Sequence, residues 1–410
     1  MNSDKSSNLT TLCCPNAKPP ITARIIYGQP DAHAKVIVLI DQQALKFLEE
    51  LANSFGPSGF EREPARITKA YVSKYANKIS SDKLGSLLFT KKGTADSPLV
   101  LMPGHIDEVG FIISSINKLG FLTFNPLGNW FDQVLLGQRV WIRTSKGTLP
   151  GVIAAKPPHL LPAEERSKVV VKNKMFIDVG ASNEDEVKEM GIRVGNPAIP
   201  DSCFSTMTKK VFIDGKRRGT DILAVGKALD DRIGTFVAVE VVRTLAEKKV
   251  RHPNTIVGAA TTMEEVGERG AKTSAFVVKP DVCLTLDVDP AGDVPGIEAN
   301  EAQAKLGSGP TITTYDTSMI PNQELLEFVL ETADKAKLPY QLSQTKGGTD
   351  AGAVHIANAG CPSLVFGVAT RHIHSHAGIL SLTDTENCIK LIVQVLKRLD
   401  KKRADSFTEL

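Results

Sequence analysis

Cysteine is scarce in this chain and lacks the spacing of a metal or redox motif. The 410 residues hold six cysteines, at 13, 14, 203, 283, 361 and 388. None form a C-x-x-C pair, so neither a zinc knuckle nor a thioredoxin-type centre is supported. Cys283 and Cys361 lie in apolar, strand-like runs and read as small buried residues. A reduced, intracellular protein in the cytoplasm is the default expectation. No apolar run reaches the roughly 18–20 residues that a membrane span needs, and no basic-then-apolar leader opens the chain. Charge of one sign is lacking too. The 49 basic and 46 acidic residues leave a formal charge of +3, which argues against a nucleic-acid partner or an acidic tail. There is no G-x-S-x-G elbow, no P-loop and no Rossmann glycine fingerprint. Serine-hydrolase, nucleotide-hydrolase and dehydrogenase readings therefore lose support.

What is present is ordinary globular usage, with 42% hydrophobic and 23% charged residues. That excludes a disordered or collagen-like chain. Residues 1–40 are poor in acid and read as a flexible N-terminal extension. An organelle-targeting segment is the alternative, though only one arginine precedes position 35. Pattern begins near Asp41. Gln43 to Leu51 predicts a helix, with Leu45, Leu48, Leu51 and Ala52 on one face. A second helix is expected around Pro64 to Tyr75, and a short strand at Leu99 to Met102. From Gly110 to about Phe212 the chain turns to short β-rich runs with glycine turns, and only Asn183 to Met190 looks helical. After Val225 the α/β alternation resumes. Helices are expected at Ile233–Glu247, Gln323–Lys335, Ala351–Ala357 and Thr385–Arg398. Strands are expected at Thr255–Thr261, Val282–Leu286 and Leu364–Val368. The economical architecture is one α/β domain interrupted by a β insertion.

Acids and histidines gather where those strands end. His105 and Asp107 follow Leu99–Met102, Asp230 and Asp231 precede the helix at Ile233, and Glu264 and Glu265 close Thr255–Thr261. Asp287 ends Val282–Leu286, and His374 follows Leu364–Val368. In an open α/β sheet, ligands bind outside the carboxyl ends of the strands. Histidine and carboxylate without thiolate suit Zn²⁺, Co²⁺ or Mn²⁺. Five ligands with a carboxylate to spare suggest two ions, roughly 3.5–4 Å apart, bridged by an aspartate and a water. Adjacent glutamates diverge, so one can bind metal while the other reaches that water. A carboxylate two residues past a histidine can hold its other ring nitrogen. Each fragment alone has a plainer reading: His-x-Asp is common, Asp-Asp caps helices, and Glu-Glu faces solvent. His372, His374 and His376 alternate along one segment, so only a subset can face one ion.

Nine motifs occur in order: HIDEVG (His105–Gly110), VLLGQRVWI (Val134–Ile142), GVIAAKPPH (Gly151–His159), FIDVGAS (Phe176–Ser182), GKALDDRIG (Gly226–Gly234), EEVGERGAK (Glu264–Lys272), LDVDPAGDVPG (Leu286–Gly296), GGTDAGA (Gly347–Ala353) and RHIHS (Arg371–Ser375). Over residues 41–400 the chain resembles the dinuclear metallo-aminopeptidases of metallopeptidase family forty-two, which form tetrahedral (TET) particles. Some relatives carry the label FrvX-like or endoglucanase. The resemblance implies a mixed-sheet α/β/α catalytic domain of the zinc-exopeptidase type over 41–108 and 216–410. It also implies a small β-barrel-like dimerisation insert over 109–215. His105 and Asp287 would bind one metal, Glu265 and His374 the other, and Asp230 would bridge them through a cis bond to Asp231. Asp107 would orient His105, and Glu264 would be the general base toward a metal-bridged hydroxide.

The implied cofactors are two divalent ions per subunit, zinc or cobalt. The implied substrates are short peptides, and the implied assembly is a homo-oligomer of dimers, up to a tetrahedral dodecamer. Gly348, Thr349 and Asp350 either line the substrate cleft or only cap a helix. Three features depart from the pattern of relatives: His372 and His376 flanking the Ile-His-Ser motif, a longer stretch at 208–223, and residues 1–35. The competing functions are an inactive assembly scaffold and a hydrolase of a glycosidic or acyl-amide bond.

Overall fold

A computed structural model describes residues 40–213, 216–298 and 300–409. The extension expected over 1–40 lies, up to residue 39, outside the described residues. The described chain is a mixed α/β structure with an 11-stranded sheet and a separate closed barrel.

The centre of the large sheet is parallel. Thr255–Thr261 pairs with Leu99–His105, which pairs with Val282–Pro290, which in turn pairs with Ser363–Arg371. These strands are buried on both faces, so they read as near-continuous apolar runs. Their side chains nevertheless divide by alternation. Val282, Leu284 and Leu286 join the larger core with Phe236, Val237, Val241 and Leu391. Cys283 faces the other way and joins Leu101, Val257, Ala271 and Val354. Helices Gln42–Asn53, Leu229–Glu247, Gln323–Ala336 and Leu382–Arg398 supply the first core. Helices Arg269–Val278 and Asp350–His355 supply the second, giving the expected α/β/α layering.

Leu229–Glu247 is buried almost all round, as a helix laid directly on a sheet must be. It comes closest at Gly104, where an added Cβ would meet the backbone of Gly234 at 2.4 Å. That contact sets the depth at which Asp230 and Asp231 emerge beside the strand end at His105.

The barrel consists of Gly110–Ile116, Leu122–Leu127, Phe176–Asp178, Gly147–Ala154, Arg139–Thr144 and Pro197–Pro200. It has its own core, with Phe111, Ile113, Trp130, Ile142 and Ile177 buried. The sequence reading carried the insert to 215, whereas the barrel's last strand ends at Pro200. Ser205–Ile213 pairs with Lys216–Gly226, and that strand pairs with Gly378–Ser381 at the edge of the large sheet. β-rich composition cannot say which sheet a hairpin joins; only the pairing decides it. Helix Arg269–Val278 was not expected. Its buried side is built mainly from Gly270, Ala271, Ser274 and Ala275, too small and polar to make an apolar stripe.

Candidate metal centre

Four parallel strands deliver their ends to one cleft of about 460 Å³, lined by His105, Asp230, Glu264, Glu265, Asp287 and His374 among others. Five of the six belong to groups whose ligand atoms lie within 4.8 Å of one another. His105, Asp230 and Asp287 form one such group, and Asp230, Glu265 and His374 form the second. Asp230 is common to both. Its Oδ1 stands 3.2 Å from His105 Nε2, and its Oδ2 stands 3.2 Å from His374 Nε2. Glu265 Oε2 is 3.5 Å from His374 Nε2, and Glu264 Oε2 is 3.7 Å from His105 Nε2.

Local backbone places each group. The Asp230–Asp231 peptide is cis, and neither residue has helical angles although both open the helix Leu229–Glu247. Asp231 turns inward instead: its Oδ2 accepts the His105 amide at 3.0 Å and its Oδ1 the Gly234 amide at 2.9 Å. Asp107 is fully buried. Its carboxylate lies 3.5 Å from His105 Nδ1 and accepts Ser58 Oγ–H at 2.7 Å. It also accepts the backbone amides of Glu264 and Glu265, at 3.0 and 3.2 Å. His374 follows the strand Ser363–Arg371 in a left-handed conformation, φ 52°.

The electrostatics are those of too many acids in one place. Burial first, then the neighbouring Asp230 charge, pushes Glu265 up to about 8. Burial raises Glu264 well above the carboxylate range, with His105 opposing and Asp350 adding to the rise. Burial also raises Asp287. Burial works against the ionised form of Asp230 as well, but hydrogen bonds from His105 and His374 hold its carboxyl below the usual range. The same contact raises His374 to about 9 against the opposing effect of burial. Crowded carboxylates stay ionised only where positive charge is supplied. Glu265 Oε1 is moreover buried with no hydrogen-bond partner. Imidazole and carboxylate donors, an orphaned oxygen and a shared aspartate fit divalent cations.

The glycine-rich turn divides. Gly347, Gly348 and Thr349 line the cleft, and Thr349 also caps the helix behind it by accepting the Ala351 amide at 3.3 Å. Asp350 is not among the lining residues. It is buried and accepts Thr261 Oγ1–H at 2.5 Å. Of the departing histidines, His372 is exposed. His376 packs near Trp130, ring centroids 5.5 Å apart, and both its ring nitrogens are buried without partners. Sequence reasoning missed Ser58, Asn129, Glu268 and Asp289. Asp289 alone carried a signal, since it stands two residues past Asp287 on the same strand.

A family profile described as M42 glutamyl aminopeptidase matches residues 85–391. The chain is 35% identical to the glutamyl aminopeptidase of Lactococcus lactis over 80% of its own length and 88% of the relative's. Among solved structures it is 54% identical to a TET aminopeptidase from a marine-sediment archaeon, Thaumarchaeota archaeon SCGC AB-539-E09. That match has a TM-score of 0.84 and covers 89% of this chain and 99% of that one. The TET1 peptidase of Pyrococcus horikoshii, which can assemble into a tetrahedron or a large octahedral shell, is 29% identical with a TM-score of 0.73, covering 87% and 100%. The fold and the site thus define an aminopeptidase-type hydrolase. The chain belongs to the M42 glutamyl aminopeptidase family.

Proposed function

We propose that the chain is a metal-dependent aminopeptidase that removes N-terminal residues from short peptides at a two-ion centre. The observation that carries this reading is the placement of Asp230, whose two carboxylate oxygens each face a different histidine at 3.2 Å. His105 and Asp287 would complete one ion's ligand set, and Glu265 and His374 the other's. Zinc and cobalt both suit these donors. When bound, the ions supply Lewis-acid polarisation of the scissile carbonyl and a water acidified toward neutral pH. Glu264, on the cleft wall and free of the two ligand groups, takes the proton of the attacking water and returns it to the leaving amine. Asp107 fixes Glu264 and Glu265 through their amides. Gly348 and Thr349 lie along the cleft as substrate contacts, and Asp350 supports that wall from below.

The barrel is proposed as the dimerisation unit of a homo-oligomer, with a tetrahedral dodecamer as its full assembly. Light scattering tests that part. The activity is tested with a panel of aminoacyl chromogenic amides and short peptides, each free and N-acetylated. The panel is run with chelator and again after adding zinc or cobalt. Chelator-sensitive release of the first residue from free peptides alone is the expected result. Release from acetylated peptides, or release that survives chelation, would overturn the reading.

A further inference from the structure

Apart from the groups assigned to ions and proton transfer, the cleft wall carries four charged side chains: Glu268, Asp289 and Glu301 against Lys346. Lys346 and Glu301 are exposed and Glu268 is half-buried, so solvent screens the first two. Asp289 differs, being only 4% exposed. It stands one pleat beyond Asp287 on the strand Val282–Pro290. Alternate residues share a face, so Asp289 and Asp287 point to the same side, about 6.6 Å apart along the strand. Leu284 and Leu286 take the opposite side, in the larger core.

The space for Asp289 comes from Gly367 on the neighbouring strand. A Cβ there would lie 3.1 Å from Asp289 Cβ and 2.2 Å from Thr311 Oγ1. Asp289 Oδ2 is buried without a hydrogen-bond partner, and so are Thr311 Oγ1 and Ser343 Oγ. The two hydroxyls face the carboxylate without meeting hydrogen-bond geometry. Among the described residues no lysine or arginine pairs with it. A buried carboxylate oxygen left without a donor is costly unless a ligand brings one.

We infer that Asp289, backed by Thr311 and Ser343, is the subsite for the cationic end of a lysine or arginine at the N-terminus of the peptide. The inference rests on the aminopeptidase reading and adds the class of first residue. The substrate's reacting carbonyl would sit at Asp230 and Asp287. A long cationic side chain then spans one pleat to Asp289, and an acidic first residue meets a wall of like charge.

The test compares kcat/KM for lysyl, arginyl, norleucyl and glutamyl chromogenic amides in the metal-loaded enzyme. Lysyl and arginyl substrates are expected to exceed norleucyl by at least about tenfold, since a hydrogen bond to a charged group discriminates on the order of 10–100-fold. Glutamyl is expected to be worst. In Asp289→Asn the lysyl-to-norleucyl ratio should fall by a similar factor, mostly through KM. A wild-type preference for norleucyl or glutamyl overturns the subsite while leaving the aminopeptidase intact. A ratio unchanged in Asp289→Asn overturns it as well, and so does an equal fall for both substrates, which would put Asp289 on the α-amine. Release of no residue at all would sink the parent reading and the subsite with it. Calorimetric titration of the wild type with lysinamide and norleucinamide needs no variant to fold. Lysinamide binding no tighter than norleucinamide also overturns the assignment.

Discussion

Asp107 holds Glu264 by its backbone: Asp107 Oδ1 accepts the Glu264 amide at 3.0 Å, while Oδ2 accepts the amide of Glu265 at 3.2 Å. The same carboxylate lies 3.5 Å from His105 Nδ1. One buried acid therefore orients a ligand of each proposed ion and the proposed base. Asp107→Asn replaces one acceptor oxygen with a donor that faces an amide N–H. Loss of such an outer partner costs about 10–100-fold in metal affinity or activity. The expected result is a fall of that size in kcat/KM and a rise of that size in the metal dissociation constant measured by chelator competition. A drop in activity with metal affinity intact would confine Asp107 to Glu264.

Glu264 belongs to neither ligand group, yet its Oε2 lies 3.7 Å from His105 Nε2. Glu264→Gln keeps the shape and removes the proton acceptor. General acid–base magnitudes put the loss of kcat at about 10²–10⁴-fold. Metal content, measured by elemental analysis, should stay at the wild-type value. Undiminished turnover at full occupancy would remove Glu264 from the base role.

The parts that could be read from the sequence were those governed by local rules. The parallel strands announced themselves as short apolar runs because both of their faces are covered. His105, Asp230, Glu264, Asp287 and His374 stood out because each follows or precedes such a run, where open α/β sheets bind ligands. What escaped depends on distant pairing. Nothing local to Ser205–Ile213 says that its partner strand will pair with Gly378–Ser381. The amide contacts of Asp107 cross 157 residues of chain. Helix Arg269–Val278 exposes Phe276 and Val277 while burying alanines, which inverts the pattern that marks a helix in sequence. The nine motifs carried the site further than spacing alone could, since no spacing rule brings Gly348 to the same cleft as His105.

A buried ion triad clamps the segment that carries Asp230. Glu108 accepts two bonds from Lys227 Nζ, both at 2.8 Å, and one from Arg232 at 2.9 Å. Lys227 and Arg232 stand on either side of Asp230 in the chain, and both also donate to the Ser54 carbonyl. Burial lowers Lys227 to about 8, so the pair with Glu108 is what keeps it charged at neutral pH. Removing one partner of a buried pair typically costs about 3–5 kcal/mol. Lys227→Met is expected to lose stability on that scale in urea unfolding of the chelated protein, and Lys227→Arg to lose less. A loss below about 1 kcal/mol, the scale of an exposed pair, would show that the triad does not hold the segment.

Far from the cleft, Glu240 makes stability fall as pH rises. Its carboxyl is buried, accepting Tyr71 Oη–H at 2.8 Å and Arg243 at 3.2 Å. Burial raises it to about 7, with Arg243 and Tyr71 pulling the other way. An unfolded glutamate titrates near 4.3. Between those values the folded chain holds a proton that the unfolded chain has lost. The stabilisation is therefore complete below the unfolded value and is lost as pH rises through about 7. Glu240→Gln keeps a neutral side chain at every pH. The stability of the variant relative to wild type should thus climb from about pH 5 to about pH 8 and then level off. Urea unfolding of both proteins in chelator across that range reads the difference directly, because groups shared by the two cancel. A difference that stays flat, or that climbs toward acid, would mean that Arg243 keeps Glu240 ionised in the folded protein.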